Sequence, residues 1–404
     1  MENTLEGIIS SAGFPVYLHG FSAIDSYLGR NTGAAVHILC GADIADLARL
    51  FEDIRYPGAA FANAAVNFGA KTVYFRCEDG SAYVSADAAV ISANIRQSYH
   101  PSLKFLEFYQ DCKTRRFYDP NDLYPLLRGI RDGRCGCAEP EQCQQWINPS
   151  SGHTPAQHTI TDAAMILARY FPETTGHSIN EIAVMSGNLC PSIAMPGPEE
   201  QRLLLTGLLE ASNPAPGFEL LKKTGYIGVC WPELAVLDDV DHSKEFHPEG
   251  NVWRHTMETL RYRKYGRGSP GAGFDLRLSL GLLLHDTGKP LSESAGSRRF
   301  DGHAELGELQ ARRFLERLDF DTSLVNDVCY LVRNHMLPAA LPRLPLSRTG
   351  KIMASPLFPT LMELYRCDES SSFKGLDGYY QSSAAYQSYL KHRRNPAKTW
   401  YASR

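Results

Sequence analysis

The chain has 404 residues, 43% of them apolar and 21% charged, a length and composition that suit roughly two or three domains with buried cores. A formal net charge of −4 and a pI near 6.4 exclude a global basic field that would draw the whole protein onto nucleic acid. The N-terminus has no positive leader, no apolar run reaches membrane-spanning length, and the ten cysteines are scattered singly except at 135–143. A cytoplasmic protein with reduced thiols and no membrane partner is the expectation.

In chain order, Leu5, Ile8 and Ile9 mark a short helix broken at Gly13 and Pro15. Val16–His19 reads as a strand, Gly20 as a tight turn, and Phe21–Leu28 as a helix closed by Gly29. Asp43 and Asp46, within Ala42–Phe51, fit a solvated helix face. Gly69–Arg76 and Ser81–Val84 read as a hairpin around Glu78–Asp79–Gly80. Residues 132–160 form a polar insertion rich in Gly and Pro. Its Cys135, Cys137 and Cys143 are close enough in sequence to share a structural Zn²⁺, with Cys112 or His153 as fourth ligand. The spacing is not a C-x₂-C pair, so free loop thiols are the competing reading.

From Thr161 the pattern is helical. Pro198, followed by Glu199 and Glu200, suits a helix start, because proline tolerates the first turn and acids favour the positive end of the dipole. Leu276–Leu284 leaves too little polar surface for a solvated helix and reads as buried, with Gly288 and Pro290 ending it. That helix delivers His285 and Asp286 into the interior. A buried ionised Asp is expensive unless it is paired or holds a metal. The candidate partners are His255, His303, His335 and Asp368, which helical spacing places on different helices. Tyr379, Tyr380, Tyr386 and Tyr389 mark a last helix, as core or interface rather than a base-stacking platform. Lys391–Lys398 is a short basic tail.

The order His255 … His285–Asp286 … His303 … His335 … Asp368 resembles the ligand signature of the HD-domain phosphohydrolases. Any one of these histidines alone would read as a hydrogen-bonded core residue; the six donors in this order carry the resemblance. It implies that His255, His285, Asp286 and Asp368 hold one metal ion, and that His303 and His335 add ligands for a second, with Asp286 as bridge. A mixed His/carboxylate set suits Mn²⁺, Fe²⁺, Co²⁺, Ni²⁺ or Zn²⁺ without choosing among them. It implies phosphoester hydrolysis at such a centre, with Asp286 and Lys289 as catalytic residues and His247, Arg254 and Lys289 as substrate contacts.

A second resemblance spans nearly the whole chain. His247–Pro–Glu–Gly–Asn–Val–Trp–Arg–His255–Thr is similar, almost word for word, to the motif that opens the HD domain of bacterial CCA-adding enzymes, the class II tRNA nucleotidyltransferases and poly(A) polymerases. Gly20, Asp25 and Leu28–Gly29–Arg30 resemble the opening of that family's catalytic head. The catalytic carboxylates of the head are missing: its Asp-x-Asp falls on Ala35–Val36–His37, and Ser81–Ser85 and Pro101–Phe105 carry no acid. Two-metal nucleotidyl transfer needs carboxylates against the triphosphate, and alanine offers no ligand.

The expected layout is an α/β plus all-α chain. A degenerate nucleotidyltransferase-type head spans 1–131, the Cys/Gly/Pro-rich insertion 132–160, a helical neck 161–235 and an all-helical HD phosphohydrolase domain 236–404. The function implied is a metal-dependent phosphatase or phosphodiesterase acting on a nucleotide or RNA-end phosphoester, with tRNA as a candidate partner. The rival readings are an active tRNA nucleotidyltransferase with carboxylates at unrecognised positions, and a non-catalytic RNA-binding or regulatory protein.

Overall fold

The computed structural model describes residues 5–30, 35–55, 64–68, 71–77, 107–120, 123–132, 156–173, 179–180, 183, 193–241, 250–263, 274–294, 300–372 and 375–394. The chain divides into two compact units. One holds 1–231 with 264–274 and 318–321; the other holds 232–263, 275–317 and 322–404. An N-terminal mixed sheet with flanking helices and a C-terminal all-helical region match the architecture expected from the sequence.

The sheet unit has seven strands among the described residues, in the order β3-β4-β5-β2-β1-β6-β7. β1 (Val16–His19) runs antiparallel to both β2 (Ala35–Cys40) and β6 (Tyr109–Asp111). β5 (Lys71–Cys77) pairs in parallel with β2, from Ala35↔Thr72 to Cys40↔Cys77. It pairs antiparallel with β4 (Ala64–Phe68), which β3 (Ile54–Arg55) joins, while β7 (Phe117–Tyr118) extends β6. The hairpin expected for 69–84 is thus described only on its first strand, whose observed partners are β4 and β2; Ser81–Val84 lies outside the described residues.

The strand–turn–helix opening forms as the residues suggest. Gly20 takes φ 58° between β1 and the Phe21–Leu28 helix, and Gly29 ends that helix at φ 65°, a left-handed conformation that costs glycine little. Asp43 caps the Ile44–Leu50 helix, and Asp46 returns the bond in a reciprocal capping box, so both acids serve a helix start. Pro198 likewise opens the Pro198–Glu210 helix with Glu199 and Glu200 in its first turn.

The helical unit includes Val252–Arg261, Leu276–Leu284, Lys289–Ser294, His303–Arg317, Thr322–Asn334, Leu346–Met353, Phe358–Ser370 and Asp377–Arg394. Leu276–Leu284 is central. It packs against Val252–Arg261, Thr322–Asn334 and Phe358–Ser370, and Leu280, Leu282, Leu283 and Leu284 are fully buried. Asn251 and Asp275 cap two of these helices through side-chain oxygens. Pro290 departs from expectation: it is the second residue of the Lys289–Ser294 helix, not a stop. A proline has no N–H to lose from the first turn, where that donor would be unpaired anyway.

Tyr386 of the last helix packs its ring on Phe358 at 4.6 Å, and Tyr379 lies 6.5 Å from Tyr365, whereas Tyr380 is exposed. Among the described residues, no helix is long and apolar enough to cross a membrane.

Candidate metal centre

Four helices end or open at one point in the helical unit. Leu276–Leu284 ends one residue before His285; Thr322–Asn334 ends one residue before His335; His303 opens its own helix. His255 projects from within Val252–Arg261, and Asp368 from the last turn of Phe358–Ser370. His255, His285, Asp286 and His335 are each no more than 2% exposed.

Asp286 sits between two groups of imidazoles and offers one oxygen to each. Its Oδ2 lies 3.2 Å from His285 Nε2 and 3.9 Å from His255 Nε2. Its Oδ1 lies 3.6 Å from His303 Nε2 and 3.9 Å from His335 Nε2. Asp368 Oδ1 is 2.9 Å from His255 Nε2 and 4.0 Å from His285 Nε2. Two donor triads therefore share one carboxylate: His255–His285–Asp286 and Asp286–His303–His335.

The far side of each ring shows which nitrogen carries the proton. His285 Nδ1 donates to the Leu282 carbonyl at 2.8 Å, and His303 Nδ1 to that of Phe300 at 2.7 Å. His335 Nδ1 donates to the Val332 carbonyl, also at 2.7 Å. A carbonyl can only accept, so Nδ1 is protonated in all three, and in the neutral ring Nε2 is a lone pair. His303 Nε2 and His335 Nε2 then face each other at 3.1 Å with no proton between them. Among the described residues, His285 Nε2 is buried without a hydrogen-bond partner. Converging lone pairs and an orphaned buried acceptor are what a cation satisfies, and this donor set suits a divalent transition metal.

The charge states agree. Burial would raise the Asp286 pKa, but His285 and Lys289 outweigh it and hold the carboxyl well below its usual range. Burial likewise opposes ionisation of Asp368, and the hydrogen bond and charge of His255 overcome it. Burial, reinforced by His285, lowers the His335 pKa to about 4, and burial lowers that of His303. Burial thus favours the neutral rings of His303 and His335, and the two acids stay ionised.

Lys289 Nζ is 2.7 Å from Asp286 Oδ2 and 5.6 Å from the centre of the Phe300 ring. Phe300 holds φ 55°, uncommon for a bulky residue, in the loop that aims its carbonyl at His303. Arg254 is exposed on the Val252–Arg261 helix. His247 lies outside the described residues, as do Cys135, Cys137, Cys143 and His153 of the expected zinc cluster; Cys112 is described on its own, just past β6. The sequence reading missed Ser371, whose hydroxyl lies 3.2 Å from His255 Nδ1. Three consecutive serines at 370–372 give no local sign of which one reaches a histidine 116 positions away.

In the sheet unit, the strand where the family's Asp-x-Asp would fall is occupied otherwise. His37 Nε2 contacts Glu210 Oε2 at 2.8 Å, both residues buried, and the His37 ring stacks on Tyr74. Asp25 is bound by Arg169 at 2.6 Å and by the Tyr170 hydroxyl at 2.8 Å.

Residues 252–355, within the stretch that carries the cluster, match the family model of the HD domain. Over 183 residues the chain is 34% identical to the CC-adding tRNA nucleotidyltransferase of Thermus thermophilus, a match covering 43% of this chain and 40% of that protein. Over 133 residues it is 32% identical to the Multifunctional CCA protein of Halorhodospira halophila, covering 33% and 30%. The chain thus spans well under half the length of either relative. A solved tRNA-processing enzyme (apo form 2) aligns over 97% of this chain and 95% of its own at 14% identity, with a TM-score of only 0.37. The HD match and the partial sequence identities link the chain to the HD and CCA-adding groups at the superfamily level. The HD match and the buried His/Asp cluster support a metal-dependent phosphohydrolase active site.

Proposed function

We propose that the protein is a metal-dependent phosphatase or phosphodiesterase acting on a nucleotide or RNA-end phosphoester, with a nucleotidyltransferase-like head that has lost catalysis. The observation that carries this reading is Asp286, buried and ionised, with one oxygen toward each of two imidazole groups. His255, His285, Asp286 and Asp368 would hold one ion, and His303 and His335 with Asp286 would hold a second. A bound divalent ion supplies Lewis acidity toward phosphoryl oxygens and lowers the pKa of water. The chain does the positioning. The carbonyls of Leu282, Phe300 and Val332 fix three ring orientations, and Lys289, the one described cation beside Asp286, is placed to meet a phosphoryl oxygen. His247 and Arg254 are the proposed substrate contacts. In the head, Ala35 offers no ligand and His37 is engaged by Glu210, which supports a scaffold or binding role there.

The name of the Thermus relative favours a tRNA 3′ end as the RNA end in question, and it also favours the rival reading of a working nucleotidyltransferase, for which CTP or ATP incorporation into tRNA lacking its 3′ end is the readout. The deciding experiment presents 2′,3′-cyclic nucleotides, 2′-nucleotides and an aryl phosphate with Mn²⁺, Co²⁺ or Ni²⁺. Preferential turnover of the nucleotides supports the proposal. Turnover of none of them by folded protein defeats it.

A further inference from the structure

Three of the four histidines find the acceptor for Nδ1–H close by in the chain. The last carbonyls of a helix have no intrahelical donor, so residues just past its end can use them. His285 and His335 do so through Leu282 and Val332, and His303 uses Phe300 in the loop that enters its helix. His255 differs: it lies within Val252–Arg261, where the Asn251 carbonyl accepts its backbone N–H at 3.1 Å and the Val252 carbonyl accepts the Thr256 hydroxyl at 2.8 Å. The hydroxyl beside its Nδ1 belongs to another helix's end.

Ser371, at the end of the Phe358–Ser370 helix, stands in that place. Its hydroxyl donates to the Asp368 carbonyl at 2.7 Å and lies 3.2 Å from His255 Nδ1. A hydroxyl has one hydrogen and two lone pairs, so with its hydrogen on Asp368 it faces His255 as an acceptor. The alternative tautomer carries its proton on Nε2, bonded to Asp368 Oδ1 at 2.9 Å, in the place where a metal has to bind. Resting on the metal-centre reading above, we infer that Ser371 is a positioning residue: it accepts Nδ1–H from His255, turns the Nε2 lone pair to the metal, and ties Asp368 to the same hydroxyl. His285, His303 and His335 need no such partner, because a backbone carbonyl fixes each of them. Outer partners of metal-bound histidines typically contribute about ten- to a hundredfold in metal affinity.

The test is Co²⁺ titration of the full chain, followed by the visible absorption of the bound ion, with substrate absent. Ser371→Ala is expected to weaken Co²⁺ binding by about ten- to a hundredfold, with an unchanged circular dichroism spectrum. Ser371→Thr keeps the hydroxyl and is expected to stay within a few-fold of wild type, whereas the similarly shaped Ser371→Val follows alanine. The ¹⁵N ring shifts of His255 supply a second readout: with Co²⁺ replaced by diamagnetic Zn²⁺, the wild type is expected to show Nδ1–H and an unprotonated Nε2. Equal Co²⁺ affinity in the wild type, Ser371→Ala and Ser371→Val overturns the role of Ser371 and leaves the metal centre standing. Absence of Co²⁺ uptake by the wild type overturns the metal reading and this inference with it.

Discussion

Gly288 lies so close to the backbone carbonyl of His303 that a methyl group has no room between them. A Cβ there would overlap His303 O and come within 2.5 Å of the Gly307 nitrogen. The obstruction is backbone, which cannot rotate aside as a side chain does. This close approach holds the start of the His303–Arg317 helix against the turn that carries His285 and Asp286. Gly288→Ala is therefore expected to destabilise the helical unit by about 2–4 kcal/mol and to weaken metal binding through His303. Urea denaturation and a metal titration on the same variant check both effects; a midpoint equal to wild type contradicts the packing argument.

The head contains its own buried pair. Arg169 and Asp25 meet at 2.6 Å with side chains 3% and 11% exposed, and burial makes either charge costly alone. Arg169→Met is expected to destabilise the sheet unit by about 3–5 kcal/mol, because among the described residues the Asp25 carboxylate then keeps only the Tyr170 hydroxyl. Adding Asp25→Asn should recover part of that loss. A double-mutant cycle in thermal unfolding reads the coupling, and strict additivity would show that the pair is not coupled.

Acid should weaken the same unit through His19. Burial first, then His37 and Arg76, hold its pKa well below 6.5 in the folded chain. The unfolded chain takes up a proton as pH falls through 6.5 while the folded chain does not, so stability is full above that pH and declines below it. The decline is at most about 1.4 kcal/mol per pH unit for this group. Between pH 7.5 and 5.5 the wild type is expected to lose more stability than His19→Gln, as read from denaturant midpoints. Equal losses would assign the acid sensitivity to other groups.

The head is expected to incorporate neither CTP nor ATP into tRNA that lacks its 3′ end. Its strand β2 presents Ala35 and a His37 bound by Glu210 where two carboxylates would be needed. CTP- or ATP-dependent growth of the tRNA measured on a sequencing gel would contradict this.

The residues of the His/Asp cluster were legible because their side-chain chemistry leaves few substitutes, and the structure brings them together in one buried cluster. The strand, glycine turn and helix at 16–29 were legible for a similar reason, since the positive φ values of Gly20 and Gly29 favour a residue without a Cβ. What depends on distant partners was not. Ser371 meets a histidine 116 positions away, and the carbonyls that accept from three histidine rings belong to residues of no special type. Pro290 was ambiguous in itself, because proline both ends helices and opens them; only the chain after it decides.

The most direct test of the metal centre is hydrolysis of a generic aryl phosphate by wild-type protein and Asp286→Ala, each with Mn²⁺, Co²⁺ or Ni²⁺ and each again after chelation. Asp286 serves both donor triads, so its loss should remove metal binding and reduce turnover at least about a thousandfold, with the fold retained by circular dichroism. Chelation should silence the wild type reversibly. Turnover that survives Asp286→Ala, or that persists in the wild type after the metal is removed, would contradict the account.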